Sequence, residues 1–356
     1  MNEPEPGSGL DGGIASVPTA GTTSIGGVRT GITIVVEMEN ARLITREEFG
    51  ETLSTLQREI AGWRSDRSEW RTAQVIFVQE GGPDETAMLR RMLRDMAPGL
   101  AALAELVVVS VPGGRYYELK NAAIPRAGGE IVLFLDADSV PRPGWLSTML
   151  APFDDPAVTI VSGFTALEHD DFLSRAYALF WIFPLARGDE RFAAKRSLNV
   201  NNSAFRRAWI AAHPFPDSNG FKVSCSILWD EVMRGGIVAR RVEAVALHKP
   251  PRGLRFLVWR AMVTGRDNDR RYAILKSPSR ARRLRHSINR LCTAEWRSMR
   301  RIFGKGGHVG MPVWERPPAF FVASAFHGLA FVCQAAMAAG LVPDRVERVP
   351  DHVQRS

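Results

Sequence analysis

Apolar residues fall along this chain in two rhythms. The first is a short unbroken run, rich in β-branched residues: Ile32-Thr33-Ile34-Val35-Val36, Val75-Ile76-Phe77-Val78, Leu106-Val107-Val108-Val109 and Ile131-Val132-Leu133-Phe134-Leu135. Runs of that length and composition predict buried strands. The second is helical, with Phe49, Leu53, Leu56, Ile60 and Trp63 recurring three or four residues apart between Glu47 and Trp63. Helices are also predicted over Met88–Leu103 and Lys120–Ala127. Four such strands alternating with helices argue for an α/β fold with a mostly parallel central sheet. Beyond it, Val158–Val161 and Ile237–Leu247 predict strands and Phe172–Leu185 an aromatic-rich helix, and there is no internal repeat. Residues 1–30, rich in Gly, Pro, Ser and Thr and without apolar periodicity, predict a disordered tail.

Length and composition narrow the class. A chain of 356 residues, 45% hydrophobic, is long enough for one large domain with an appended segment. Its cysteines, Cys225, Cys292 and Cys333, are too few and too scattered for a disulfide framework or a metal knuckle, and they suit a reducing compartment. The opening Met-Asn-Glu-Pro-Glu-Pro is acidic and broken by prolines, unlike a signal peptide, so a cytoplasmic location is expected.

The acidic residues have a pattern of their own. Ligands of a parallel α/β sheet bind beyond the carboxyl ends of its strands. There stand Glu37 and Glu39 after the first strand, Glu80 after the second, and Asp136 and Asp138 after the fourth. One acid at a strand end is an ordinary turn residue. Acids at three strand ends of one rim point to a site. Asp136-Ala137-Asp138 suits a divalent cation, Mn2+ or Mg2+, which stabilises a departing diphosphate as a Lewis acid. Asp-x-Asp alone is weak, and a solvated turn is its plain alternative. Its setting is what gives it weight: Gly128-Gly129-Glu130 and a buried strand before it, Pro143-Gly144-Trp145-Leu146 after it.

Lys120-Asn121-Ala122-Ala123, Ala127-Gly128-Gly129-Glu130 and Phe134-Leu135-Asp136-Ala137-Asp138 together resemble the core signature of family 2 glycosyltransferases. The resemblance covers roughly residues 31–250. It implies a GT-A-type nucleotide-sugar-binding domain over 31–253, followed by a basic helical C-terminal region over 254–356. It also implies metal-dependent transfer of a sugar from a UDP- or GDP-sugar to a glycan, lipid or small-molecule acceptor, with inversion. Glu37-Met38-Glu39-Asn40 stands where the family carries a Pro-x-Tyr-Asn motif against the nucleotide base, a variant rather than a match. Glu80 stands where an acid contacts the uracil or ribose, and Lys120 where a basic residue approaches the base or the diphosphate. His248 has two readings: an ordinary surface or core histidine, or a third metal ligand after the last core strand.

The resemblance fails at the catalytic base. The family places a Glu-Asp pair before a helix that ends in a basic, Gly-terminated turn. Counting back from Arg234-Gly235-Gly236 puts Ser224-Cys225-Ser226 there, with no carboxylate. Asp217 and Asp230 (or Glu231) are substitutes, each equally readable as a turn or a solvated helix residue, so the base is unassigned.

Charge adds a last feature. Between Leu254 and Lys305 stand 15 Lys or Arg against three acids, although the chain as a whole carries +8, so the remainder is net acidic. Arg255, Arg260, Arg266, Arg270 and Arg271 suit a diphosphate or a phospholipid-linked acceptor, or else a solvated helix face. The arginines from Arg280 to Arg301 precede a 24-residue run without charge, Ala319–Val342. That run exceeds the ~20 residues needed to cross a bilayer. Its stripe of Ser324, His327, Gly328, Phe331, Gln334, Ala335 and Ala338, with Phe321, Leu329, Val332 and Met337 off it, equally suits a packed or interfacial helix. Association with an anionic membrane surface, on its inner face, is the expectation. Nucleic-acid binding is set aside, because aromatic residues do not interleave with Arg280–Arg290. A dinucleotide oxidoreductase is excluded by the residues after the first strand, which lack its glycines. The alternative from another class is a catalytically impaired relative that binds nucleotide or membrane without turnover.

Overall fold

The structure, a computed structural model, describes residues 31–66, 72–182, 198–216, 223–250 and 253–342. The tail expected over 1–30 and Asp217 lie outside the described residues. In chain order the elements are β1 (Ile32–Glu37), α1 (Arg46–Asp66), β2 (Ala73–Glu80), α2 (Pro83–Met96), α3 (Pro98–Leu103), β3 (Glu105–Val111), α4 (Tyr116–Ala123) and β4 (Ile131–Asp136). Then come β5 (Ser139–Pro141), α5 (Trp145–Leu150), β6 (Ile160–Leu167), α6 (Phe172–Phe180), β7 (Asn202–Arg206), α7 (Arg207–Ala212) and α8 (Val223–Arg234). The series closes with β8 (Ala239–His248), α9 (Leu254–Lys276), α10 (Arg280–Lys305) and α11 (Arg316–Ala339).

All eight strands join one sheet in the order β3-β2-β1-β4-β7-β6-β8-β5. Its first half is parallel, β1 pairing with β2 and β4 and β2 with β3. Each residue of β1 and β4 is buried, as apolar side chains require on strands covered on both faces. One core packs α1 against the sheet through Phe49, Leu53, Leu56, Ile60 and Trp63. The opposite core packs α4, α7 and α8 through Tyr117, Leu119, Ile210 and Leu228. Gly129 lets the chain enter β4 flush against β1, since a Cβ there would lie 2.4 Å from the carbonyl carbon of Ile32.

The second half is mixed. β7 runs antiparallel to both β4 and β6, β6 is parallel to β8, and β5 pairs antiparallel with β8. Asn202, fully buried on β7, ties this half together. Its side chain donates to Phe164 O and Ala244 O (2.8 and 2.9 Å) and accepts from Trp145 Nε1 (2.7 Å).

Several elements differ from the sequence reading. The helix expected over Met88–Leu103 starts at Pro83 and breaks at Ala97, because Pro98 opens a second helix. The helix expected over Lys120–Ala127 begins at Tyr116 and stops before Ile124-Pro125. The strand expected at Val158–Val161 begins at Ile160 and continues to Leu167.

The C-terminal helices pack on one another and on α6. Arg175 of α6 grips the buried Glu315 at the foot of α11 with two bonds of 3.0 and 2.7 Å. Where α9 crosses α11, Gly265 lets the backbones meet: a Cβ there would lie 2.3 Å from Ala330 O. The polar stripe of α11 faces α10, with Ser324 donating to Glu295 (2.7 Å) and His327 bonding Ser298 (2.8 Å). Phe321, Leu329 and Val332 are exposed, whereas Met337, expected beside them, is buried. α11 with its lead-in, Val313–Ala339, is long and apolar enough to cross a membrane, and a third of its most apolar window is buried in the protein.

Candidate functional site

β1 and β4 are in register from Ile32↔Ile131 to Glu37↔Asp136, so two carboxylates emerge side by side at one sheet end. β5 and β8 are in register at Ser139↔His248, which brings the imidazole to the residue after Asp138. Strand pairing alone therefore gathers Asp136, Asp138 and His248 from positions more than a hundred residues apart. All three are buried, and each offers a ligand atom within 4.8 Å of the others.

Each member has a distinct environment. Asp136 accepts from Lys120 Nζ (2.7 Å) and from Tyr116 OH (2.9 and 3.0 Å to its two oxygens), with Asn40 Nδ2 at 3.4 Å. Asp138 Oδ1 lies 3.1 Å from His248 Nδ1. On the other edge of that ring, Nε2 meets Asn201 Nδ2 (2.5 Å) and Ser139 Oγ (3.2 Å). Burial opposes charge on His248, but Asp138 outweighs it by charge and hydrogen bond, and the imidazole ends above its ordinary pKa. Two carboxylates and an imidazole, buried yet bordering a cavity, are a donor set suited to Mn2+ or Mg2+.

The acids at and just after the end of β1 lie close to Asp136. Glu37 is fully buried, and that burial pushes its carboxyl well above the usual range against the pull of Lys120. Burial likewise raises Glu39 to about 7, partly offset by the Tyr116 backbone N–H and by Arg42. Glu80 pairs with Arg42 at 3.0 Å. Lys120 is wholly enclosed. Glu37, Glu39 and Lys120 thus surround Asp136, Glu80 is held by Arg42, and the cavity lining includes none of the four.

That cavity, about 480 Å³, is lined in part by Asp136, Asp138 and His248. Cys225 and Ser226 line it too, so the place where the sequence lacks its carboxylate pair is indeed a cavity wall. Asp136 and Asp138 are its carboxylates among the described residues. Asp230 is not among the lining residues; it pairs with Arg234 one turn along α8. Sequence reasoning missed Tyr116, Asn201 and Ser139 around the triad, and Arg241, Arg297 and Arg301 in the cavity wall. Tyr116 had a signal, lying one helical turn before Lys120 and on its face.

A parallel sheet half that carries a buried Asp-x-Asp at its rim, continued by an antiparallel strand and completed by a histidine from the last strand, is the arrangement expected of a GT-A-type glycosyltransferase fold. Residues 46–211 match the model of glycosyl transferase family 2. No curated protein matches the chain. Among solved structures, the mannosyltransferase PcManGT from Pyrobaculum calidifontis, in complex with GDP-Man and Mn2+, is 19% identical at a TM-score of 0.44, covering 89% of this chain and 77% of its own. Glucosyl-3-phosphoglycerate synthase from Mycobacterium tuberculosis, in complex with Mn2+, UDP and phosphoglyceric acid, is 21% identical at a TM-score of 0.39, covering 64% and 73%.

Proposed function

We propose that this protein transfers a sugar from a UDP- or GDP-sugar to a glycan, lipid or small-molecule acceptor, with inversion, in the cavity in front of Asp136, Asp138 and His248. The observation that carries this reading is the buried convergence of that triad at the mouth of a parallel nucleotide-binding sheet. Asp138 and His248, with Asp136 beside them, would hold the Mn2+ or Mg2+. Bound there, the ion supplies Lewis-acid stabilisation of the departing nucleoside diphosphate. Lys120 and Tyr116 fix Asp136, so its charge is aimed before any ligand arrives. Asn201 and Ser139 hold the far edge of His248 and set the plane of its ring. Glu39 and Glu80, partly exposed beside the ends of β1 and β2, are the residues for the nucleoside, whereas Glu37 and Lys120, expected with them, are fully buried and act on Asp136 from within the protein. Of the base candidates, Asp230 is engaged by Arg234 and Glu231 lies 3.6 Å from His213, which leaves Asp217 or an acceptor that arrives ionised.

The protein acts from the cytoplasmic side, with its C-terminal helices on an anionic membrane. α10 carries the arginines, and Leu284, Ile288, Trp296 and Phe303 on it stay exposed. Sedimentation with phosphatidylglycerol vesicles, and not with phosphatidylcholine vesicles, is the expected behaviour. Equal recovery with both, or with neither, removes the membrane from this reading.

The donor site is tested by titrating UDP and GDP calorimetrically into the wild type and Asp138→Ala, with and without Mn2+. Metal-dependent binding that disappears in the variant is expected. If neither nucleotide binds, or the variant binds as well as the wild type, the reading fails. A relative that has lost turnover would pass this test yet transfer no label from UDP- or GDP-sugar to any acceptor fraction.

A further inference from the structure

The cavity has a second chemistry besides its acidic groups, and one member of it, Arg260, is close enough to act electrostatically on Asp138 and His248. Arg241 of β8, Arg260 and Arg271 of α9, and Arg297 and Arg301 of α10 all line it. Five guanidinium groups thus border one cavity, and Arg297 and Arg301 repel each other there. Burial draws Arg241, Arg260 and Arg271 below the usual arginine range, and burial together with Arg297 draws Arg301 down to about 10. Asp267 faces Arg260 and Arg271, Arg260 stacks over Trp181 at 5.1 Å, and Arg241 over Phe164 at 5.0 Å. Lys249, also at the cavity, is engaged by Glu51 and Glu168.

The charge of the donor does not call for these arginines. The charge of a nucleoside diphosphate is met largely by the divalent ion that Asp138 and His248 are suited to hold, so ion and diphosphate roughly cancel. Arg271, Arg297 and Arg301 moreover come from helices outside the sheet that presents the metal triad. Guanidinium groups converging on an enclosed space are the arrangement that recognises phosphate, because the planar fork makes paired, charge-assisted bonds to its oxygens.

We propose that this arginine wall is the acceptor subsite and that the acceptor is a phosphorylated compound held through its phosphate. The proposal rests on the donor reading above for its designation as the acceptor side. A lipid phosphate and a soluble phosphomonoester present the same group to the arginines.

The test uses the full chain with Mn2+ and saturating nucleotide. Glycerol 3-phosphate and farnesyl phosphate are titrated calorimetrically beside their neutral counterparts, glycerol and farnesol. Both phosphates, or farnesyl phosphate alone, are expected to bind at least about tenfold tighter than the matching alcohol, as charge-assisted bonds require. Arg271→Gln and Arg301→Gln should each weaken phosphate binding about tenfold while UDP or GDP affinity stays within about twofold. Arg301→Lys, which keeps the charge and loses the fork, should fall between, and it serves if a glutamine variant does not fold. Farnesyl phosphate binding tenfold tighter than glycerol 3-phosphate assigns the group to a lipid, and comparable binding assigns it to a soluble acceptor. Neutral alcohols binding as well as phosphates, or phosphate affinity unmoved in these variants, overturns the proposal. So does parallel loss of nucleotide affinity, which would return the arginines to the donor. Failure of the donor reading is seen separately, as nucleotide binding indifferent to Mn2+ and to Asp138→Ala.

Discussion

Lys120 offers the sharpest measure of how the site is held. Its side chain is fully buried, and its ammonium lies 2.7 Å from an Asp136 carboxylate that is itself 3% exposed. Glu37, without solvent access, feels the same cation. Lys120→Met keeps the apolar stem and removes the charge, leaving two buried carboxylates to face each other. Removing one partner of a buried pair costs about 3–5 kcal/mol. Tyr116 still donates to Asp136, so the lower end, about 3 kcal/mol, is the expectation. Urea unfolding at pH 7.5, read by linear extrapolation, measures it. Asp136→Asn added to Lys120→Met should return about 2 kcal/mol, since the amide has no charge to compensate. The loss should also shrink between pH 8 and pH 5. Without Lys120 the folded state can relieve the repulsion by taking up a proton, so the variant gains stability as pH falls. A loss below about 1 kcal/mol, or one that does not change with pH, would show that Lys120 does not compensate Asp136, and the account of a pre-aimed carboxylate would fall.

Three further outcomes follow from other residues. His248→Ala should weaken Mn2+ binding at least tenfold, followed by direct metal titration, and unchanged affinity would remove it from the ligand set. Glu39 has a folded-state pKa of about 7 against a usual 4.5, so stability present below pH 4.5 is lost as pH rises toward 7. Glu39→Gln should therefore raise the melting temperature more at pH 8 than at pH 5, and an equal rise at both would contradict the shift. Gly265→Ala places a methyl 2.3 Å from Ala330 O, so α9 and α11 must separate at a cost of about 1–3 kcal/mol, read as a fall in melting temperature.

The sequence made the parallel half of the sheet legible because the middles of β1, β2 and β4 are buried on both faces and carry apolar runs. β7 escaped because Asn202-Ser203-Ala204-Phe205-Arg206 looks polar, although Asn202 spends its amide on partners from β6, β8 and α5. Asp136 and Asp138 were readable from local context. Their meeting with His248 was a guess that only the β5–β8 register decides. The arginine wall was the least legible feature. Its members come from β8, α9 and α10, and a basic face that packs inward has the same spacing as one that faces water.

α10 serves two surfaces at once. Arg297 and Arg301 look into the cavity, while Leu284, Ile288, Trp296 and Phe303 remain uncovered on the same helix. A helix shared in this way is a thermodynamic conduit. If the bilayer favours the placement of α10 in which the arginine wall is complete, acceptor affinity rises by some factor. Reciprocity then requires acceptor occupancy to tighten membrane attachment by the same factor. The enzyme would dwell at the bilayer while loaded and depart more readily once its product has left.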